Sequence, residues 1–145
     1  FWANARATRD STQEANSGVL GVSGQRYALF PMHLGSGGDT GAGVSVGTNG
    51  ISVYEHAADY LPALLVDACA LSGWNHIAVV YRNKQPTLYL NGVYEKAGCQ
   101  STKIVHPAFD LGGSDYGWYD GKLDDIRVYN RALTDAEIQV LAASR

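Results

Sequence analysis

The sequence predicts an all-β fold of antiparallel strands that ends in one short helix. Its 17 glycines and nine tyrosines, against three phenylalanines and one methionine, are typical of turn-rich β proteins whose aromatic groups keep a polar edge in water. Residues 74–91, WNHIAVVYRNKQPTLYLN, form two strand-like runs around the turn residues 83–86. The Asn-Gly pair at 91–92 favours a type I′ turn into a third strand, 93–95.

The first of these strands is predicted to be central in its sheet. Ile77, Val79 and Tyr81 lie on one face, and the opposite face, which carries Ala78 and Val80, is also mostly apolar. A strand that is apolar on both faces is typical of one covered on both sides.

The remaining elements follow in chain order. Strands are predicted at Phe1–Ala5, Val19–Val22, Arg26–His33, Val44–Val46 and Ile51–Val53 around an Asn-Gly turn, Tyr60–Ala68, Leu111–Ser114 and Leu123–Tyr129. Polar loops are predicted at 6–17 and 34–43, an edge strand or loop at 100–109 and an aromatic loop at 115–121. Thr134 and Glu137 form a capping box, so a short helix is expected to follow, with Leu133, Ile138 and Leu141 as its apolar stripe.

Length and charge narrow the possible functions. The 145 residues predict a single domain, 1–145, large enough to bury its own core. A net charge of -3 without a basic cluster argues against a nucleic-acid partner. No apolar run approaches the roughly 20 residues needed to cross a bilayer, so membrane insertion is not expected.

The apolar residues Phe1 and Trp2 at the start resemble the middle of a strand. We therefore expect a domain that is cut from a larger protein and lacks its first strands.

Cys69 and Cys99 lie on either side of the central hairpin, near the ends of neighbouring predicted strands. A disulfide between them would suit an exported protein, and two free, buried cysteines are the alternative. The sequence-based prediction is the disulfide.

Four segments in this order resemble a known family. They are GWNHIAVVY from residue 73, LYLNGVY from 88, LGGS from 111, and a Tyr-x-Gly step at 119–121 that leads into KLDDIRVYNRALTDAEI. Together they resemble the laminin G-like family of concanavalin A-like jelly rolls, especially its bacterial, pentraxin-related branch. The match is specific over residues 73–141 and weaker over 26–66.

The resemblance implies a two-sheet antiparallel jelly-roll sandwich that binds sugars or protein surfaces, often with calcium. We therefore expect a non-catalytic module for carbohydrate recognition or adhesion, within an exported multidomain protein at the cell surface or outside the cell. Its expected partners are a glycan or an extracellular protein.

Catalysis is not expected, although glycoside hydrolases share this jelly roll. They need two carboxylates about 5 to 10 Å apart across a sugar cleft. Glu55 and Asp59 straddle a bend, and Asp124 and Asp125 point to opposite faces of a strand. No nucleophile elbow, zinc spacing or phosphate loop is present in the sequence.

The candidate ligand residues lie in predicted loops. Tyr116 and Trp118, with Tyr60 and His56 from another loop, are candidates for stacking on sugar rings. Trp118 is the ring expected to be exposed, whereas Tyr119 belongs to the Tyr-x-Gly packing step.

Asp39, Asp115 and Asp120 are the candidate calcium ligands that the resemblance suggests, and ordinary solvated turn residues are the alternative.

Asp124 and Arg127 lie in the terminal motif of the family. A contact with a ligand or metal is one interpretation of this pair. The favoured interpretation is structural, a carboxylate that hydrogen-bonds backbone or a buried arginine.

A second functional hypothesis follows from the apolar start. A sandwich that lacks a strand exposes a sheet edge, and such an edge invites pairing with another chain. The protein would then be a structural protein-protein interaction module, or a filament subunit that self-associates and is completed by a neighbour's strand.

Overall fold

The computed structural model describes residues 1–18, 20–35 and 37–144, and these residues form two β-sheets and one helix. This confirms the predicted all-β sandwich with a single short C-terminal helix. The elements of the described residues are β1 Trp2–Ala5, β2 Tyr27–Pro31, β3 Asp39–Gly47, β4 Gly50–His56, β5 Leu65–Asp67, β6 Asn75–Arg82, β7 Gln85–Leu90, β8 Val93–Ala97, β9 Ile104–His106, β10 Phe109–Leu111, β11 Gly113–Ser114, β12 Gly117–Trp118, β13 Gly121–Asp124 and α1 Asp135–Ala143.

The two sheets differ in size. The smaller sheet has the strand order β13-β1-β6-β7-β8, and all of its pairs are antiparallel. The larger sheet follows the order β11-β12-β2-β3-β4-β5, with β10 also paired to β2 and β9 to β3. Strands distant in the chain are therefore neighbours, as in a jelly roll.

Both predicted hairpins of the smaller sheet are present. Asn83 and Lys84 have φ values of 49° and 64°, and Asn91 and Gly92 have 51° and 84°. Two consecutive positive φ values define the type I′ turn, whose twist matches that of the flanking strands. The first turn is tighter than predicted, because Pro86 already lies within β7, opposite Tyr81.

The main core fills the space between the sheets. Leu29, Val44 and Val53 of the larger sheet pack with Ile77 and Leu88 of the smaller one. Each such side chain contributes about 1.5–3 kcal/mol when it is fully buried.

A second core covers the other face of β6. Val80 packs there with Tyr89, Leu133 and Ile138, the last of which belongs to α1. The prediction that β6 is covered on both sides is confirmed. Thr134 caps α1 through the predicted box with Glu137. Within the described residues no helix is long and apolar enough to cross a membrane.

A buried carboxylate joins the two sheets. Glu55 on β4 is 1% exposed, and it accepts hydrogen bonds from the Tyr81 hydroxyl on β6 at 3.0 Å and from Ser101 Oγ at 2.6 Å. Burial raises the pKa of Glu55, although these two donors act in the opposite direction.

The loop before β2 is fixed by polar contacts to the larger sheet. The buried Arg9 guanidinium donates to the carbonyls of Ile51 and Asp67. Its backbone forms two hydrogen bonds with the Asn49 side chain. The predicted strand at 19–22 is not confirmed, because residues 20–22 are not in a strand and residue 19 lies outside the described residues.

Other predicted strands are shorter in the structure. Of the strand predicted at Tyr60–Ala68, Leu65–Asp67 pairs with β4 as a strand, and Tyr60 forms only an isolated bridge with His56. A turn precedes it, in which the Leu61 amide donates to the Glu55 carbonyl. The predicted loop at 34–43 ends early, because β3 already begins at Asp39.

The last strand ends earlier than predicted, at Asp124 instead of Tyr129. Asp125 adopts a left-handed conformation with φ of 46°, which an extended strand cannot contain. Arg127 Nε then donates to Asp125 at 2.7 Å, and the Arg127 side chain is exposed. Asp124 Oδ1 accepts the Asp125 amide at 2.9 Å, a backbone hydrogen bond of the kind that the structural interpretation expects, whereas Arg127 is not buried. The role of Asp124 and Arg127 stays a prediction.

The predicted disulfide is not formed, because Cys69 and Cys99 are free thiols. The Cys99 amide donates to the carbonyl of Leu64, which precedes β5, whereas Cys69 follows β5. The two cysteines therefore lie near opposite ends of β5. Burial raises the pKa of the Cys69 thiol to about 12.

We expect the stability difference between the wild type and Glu55→Gln to depend on pH. A raised pKa in the folded state means that folding favours the protonated carboxyl of Glu55. This contribution is fully present below the ordinary pKa of about 4.5 and is lost as the pH rises through the raised value. Urea denaturation should therefore show the wild type losing stability relative to Glu55→Gln as the pH rises above about 4.5. The exposed Glu95→Gln is the matched control, and a difference independent of pH would contradict this account.

We also expect two free thiols in the purified protein. Iodoacetamide added after unfolding, without any reductant, should label both Cys69 and Cys99 in a mass spectrum. Absence of both labels until a reductant is added would contradict the structure.

Candidate functional site

The outer aromatic cluster, defined as His33, His56, Tyr60 and Tyr116, is the candidate ligand site. The rings of His56 and Tyr60 stack at 3.9 Å with an interplanar angle of 16°. Tyr60 also contacts Tyr116 at 4.4 Å, and His56 contacts His33 at 5.2 Å. Three of the four predicted ligand residues, His56, Tyr60 and Tyr116, are therefore brought together.

A tight bend after β4 positions the central stack. β4 ends at His56, and the Ala57 amide donates to the Asp59 carbonyl across the bend. Tyr60 returns beside His56 in an antiparallel bridge. Opposite residues of antiparallel strands place their side chains on one face, so the two rings stack.

Buried rings support the cluster from beneath. Phe30 on β2 contacts both His56 and Tyr60, at 6.3 and 6.0 Å. Phe30 in turn packs against Tyr27, which meets Tyr54 of β4. The hydroxyls of Tyr27 and Tyr54 donate to the carbonyls of Val22 and Gly21. The exposed rings thus rest on a fixed layer.

Electrostatics define the polar groups of the cluster. His56 Nδ1 lies 3.1 Å from the Pro31 carbonyl, and because a carbonyl only accepts, Nδ1 carries the proton. Burial, together with the nearby His33, lowers the pKa of His56, so the imidazole is neutral at pH 7 and Nε2 is a hydrogen-bond acceptor. Burial and Tyr116 raise the pKa of Tyr60, which keeps its hydroxyl protonated.

Trp118, the fourth predicted ligand residue, stands apart. It lies on β12, two residues after Tyr116, and is 60% exposed, as predicted. Among the described residues its indole makes no ring contact with the outer aromatic cluster. Tyr119, the next residue, packs against the main core instead, in line with its predicted packing role.

Sequence reasoning missed His33 and Phe30. Both belong to the segment predicted as one strand, but β2 ends at Pro31 and frees His33 to face His56. The available signal was Pro31 itself, because a proline within a strand marks an end or a bulge. The alternation of side chains along β2 did not predict which face Phe30 lies on, because the pairing register with β3 shifts between Tyr27 and Leu29.

The candidate calcium ligands do not come together. Asp39 pairs with His106 Nε2 at 2.8 Å, and Asp120 pairs with Arg6 at 3.0 Å. Asp115 lies near Tyr60, whose pKa it helps to raise. In residues 1–18, 20–35 and 37–144 no group of three or more His, Cys, Asp or Glu side chains could hold a metal ion. Calcium needs six to eight oxygens, so these three aspartates do not fit it as one set.

In each of the two carboxylate pairs considered from the sequence, one member is already engaged by other described residues. Glu55 is buried and committed to Tyr81 and Ser101, beyond the reach of a substrate. Asp124 and Asp125 are adjacent, and Asp125 binds Arg127.

Comparison with known proteins identifies the family. Residues 1–139 match the Laminin_G_3 family, described as the concanavalin A-like lectin/glucanases superfamily. No curated protein matches the chain. A similar solved structure is an S-layer domain-containing protein (residues 221–444) from Clostridium thermocellum ATCC 27405, which is 22% identical. The match covers 94% of this chain and 71% of that one, with a TM-score of 0.42.

The stacking of Tyr60 on His56 predicts a change that NMR can measure. Tyr60→Ala removes the ring that covers the imidazole, so we expect the pKa of His56 to rise towards 6.5. Tyr60→Phe keeps the ring and should leave the pKa as in the wild type. Titration of the ring protons would test this, and equal pKa values in all three proteins would show that stacking is not the cause.

Proposed function

The chain belongs to the Laminin_G_3 family of the concanavalin A-like lectin and glucanase superfamily, and from this premise we propose that it is a carbohydrate-recognition module. The observation that supports the proposal most directly is the outer aromatic cluster, in which Tyr116 is 38% exposed and rests on Tyr60. Trp118 presents a second exposed ring nearby in the chain.

Aromatic rings bind the apolar faces of pyranose sugars, and polar groups beside them fix the hydroxyls. Tyr116 and Trp118 supply exposed ring surface in this protein. His56 Nε2 supplies an acceptor and the Tyr60 hydroxyl a donor, while Asp115 lies beside them. Because the lower rings are packed on Phe30, little side-chain entropy is lost on binding.

We propose that the module is non-catalytic and serves adhesion or recognition at the cell surface or outside the cell, as part of an exported multidomain protein. The burial of Glu55 supports the non-catalytic part of this proposal. Calcium is not required in the proposed mode, because Asp39 and Asp120 are engaged by His106 and Arg6.

A glycan array, probed with calcium and again with EDTA, tests this function. We expect binding of a subset of glycans that is unchanged by EDTA. Tyr116→Ala and Trp118→Ala should each weaken binding roughly two- to tenfold, since one stacked ring contributes about 0.5–1.5 kcal/mol.

Tyr94→Ala is the matched control, because Tyr94 is an exposed tyrosine on β8, in the other sheet. It should bind as the wild type does. Binding abolished by EDTA would redirect attention to the aspartates. Binding to no glycan, or equal losses in Tyr94→Ala and Tyr116→Ala, would contradict the proposed site.

A further inference from the structure

His56 is held in one orientation and one tautomer. Its ring stacks on Tyr60 at 3.9 Å, and Nδ1 donates to the Pro31 carbonyl at 3.1 Å. The other ring nitrogen, Nε2, has no hydrogen-bond partner among the described residues. Nε2 is also not one of the buried polar atoms that lack a partner, so it faces solvent. The outer aromatic cluster therefore presents a fixed nitrogen that only accepts a hydrogen bond while His56 is neutral.

A hydroxyl donor lies one ring away from this acceptor. The side chains of Tyr60 and Tyr116 form a hydrogen bond, and burial together with Tyr116 raises the pKa of Tyr60. Both phenols are needed in the protonated form for such a pair. A hydroxyl that donates to its neighbour leaves the neighbour's own O–H proton free. One O–H group of the pair is thus left for an acceptor on a ligand.

Charges around the cluster disfavour an acidic sugar. Asp59, in the bend after β4, acts on His56, and Asp115 acts on Tyr60. Both carboxylates would repel a carboxylate or sulfate on a ligand. His33, at 5.2 Å, adds to the effect of burial and disfavours a proton on His56. At neutral pH the cluster therefore fits an uncharged sugar.

The strands around His56 are uncharged where they meet its ring. Phe30 packs beneath the ring, and the residue opposite His56 on β3 is Gly41. Gly41 also pairs with His106 on β9, which binds Asp39. That ion pair is two strand spacings from His56, roughly 10 Å. The protonation of Nε2 is therefore set by burial and by the groups of the cluster itself.

An acetamido group matches this arrangement of donors and acceptors. Its N–H only donates, its carbonyl oxygen accepts, and its methyl group is apolar. The N–H can donate to His56 Nε2, and the carbonyl oxygen can accept the free O–H of the tyrosine pair. The methyl group can cover exposed ring surface of Tyr116. A sugar hydroxyl in the same place forms fewer of these contacts.

We propose that the outer aromatic cluster recognises uncharged sugars that carry an acetamido group, with His56 Nε2 as the acceptor for the amide N–H. This inference rests on the proposed function and names its ligand class. Because an amide N–H cannot accept a hydrogen bond, a proton on Nε2 leaves two donors facing each other. Recognition is therefore lost as the pH falls through the lowered pKa of His56, and it is independent of pH above that value.

Three oligosaccharides with the same β-1,4 linkage test the ligand class by isothermal titration calorimetry. N-acetylchitohexaose, cellohexaose and the hexamer of glucosamine carry an acetamido, a hydroxyl and an amino group at C2. At pH 7.5 we expect N-acetylchitohexaose to bind roughly tenfold more tightly than either of the others, because it gains a hydrogen bond and a ring contact. At pH 5 this preference should shrink roughly threefold or more.

His56→Phe keeps a ring that can stack on Tyr60 but removes the acceptor. We expect this variant to bind N-acetylchitohexaose and cellohexaose within about threefold of each other, at both pH values. His106→Phe is the matched control, because His106 lies on β9 and outside the cluster. It should keep the preference of the wild type and the loss of that preference in acid.

Several results would overturn the proposal. Equal binding of N-acetylchitohexaose and cellohexaose by the wild type is one, and a preference that His56→Phe retains is another. Tightest binding of the glucosamine hexamer would show that Asp59 and Asp115 select a cation instead.

If none of the three oligosaccharides binds, the glycan array separates this inference from the proposed function. Array binding confined to glycans with an acetamido group would uphold the ligand class. Binding of glycans that lack this group would overturn the ligand class alone, whereas binding to no glycan would overturn the proposed function as well.

Discussion

Strand β6 can be buried only if both of its faces are covered, because Ile77 and Val79 on one face and Ala78 and Val80 on the other are all apolar. The larger sheet covers the first face, and α1 with Leu133 covers the second. The remaining architecture follows from this requirement. The C-terminal segment has to cross the smaller sheet so that α1 packs on the outer face of β6. The two sheets have to pack face to face to cover its inner face. Glu55 adds a polar link between them through Tyr81.

The larger sheet uses its two faces differently. Its inner face is the main core, whereas its outer face carries Tyr27, Phe30 and Tyr54 in a smaller aromatic core. The loop before β2 covers part of this outer face and receives the hydroxyl hydrogen bonds of Tyr27 and Tyr54. This loop does not cover the ends of β2 and β4. There the aromatic layer reaches the surface through His56, Tyr60 and Tyr116. The proposed site is thus the exposed end of a packed layer.

The sequence predicted the features that local chemistry determines. Positive φ at Asn91 and Gly92 and the capping box of Thr134 depend on residues within four positions of each other, and both are present. Of the four aromatic residues that it grouped, His56, Tyr60 and Tyr116 cluster and Trp118 stands apart. It missed His33, because the contact of His33 with His56 depends on where β2 ends. The predicted end of the last strand, at Tyr129, was wrong. Nothing in the alternation of residues 123–129 indicates that Asp125 adopts a left-handed conformation. The predicted disulfide was also wrong, because the positions of Cys69 and Cys99 depend on where β5 lies in the larger sheet.

The central claim is that sugar is recognised by the outer aromatic cluster. Chemical-shift mapping of the labelled protein with cellohexaose, laminarihexaose and N-acetylchitohexaose tests it most directly, because it locates a bound sugar without mutation. The account predicts that at least one of these oligosaccharides shifts the ring signals of Tyr60, Tyr116 and Trp118 and leaves those of Tyr94 on β8 unchanged. Shifts at Tyr94 without shifts in the outer aromatic cluster, or no shifts with any of the three, would contradict it.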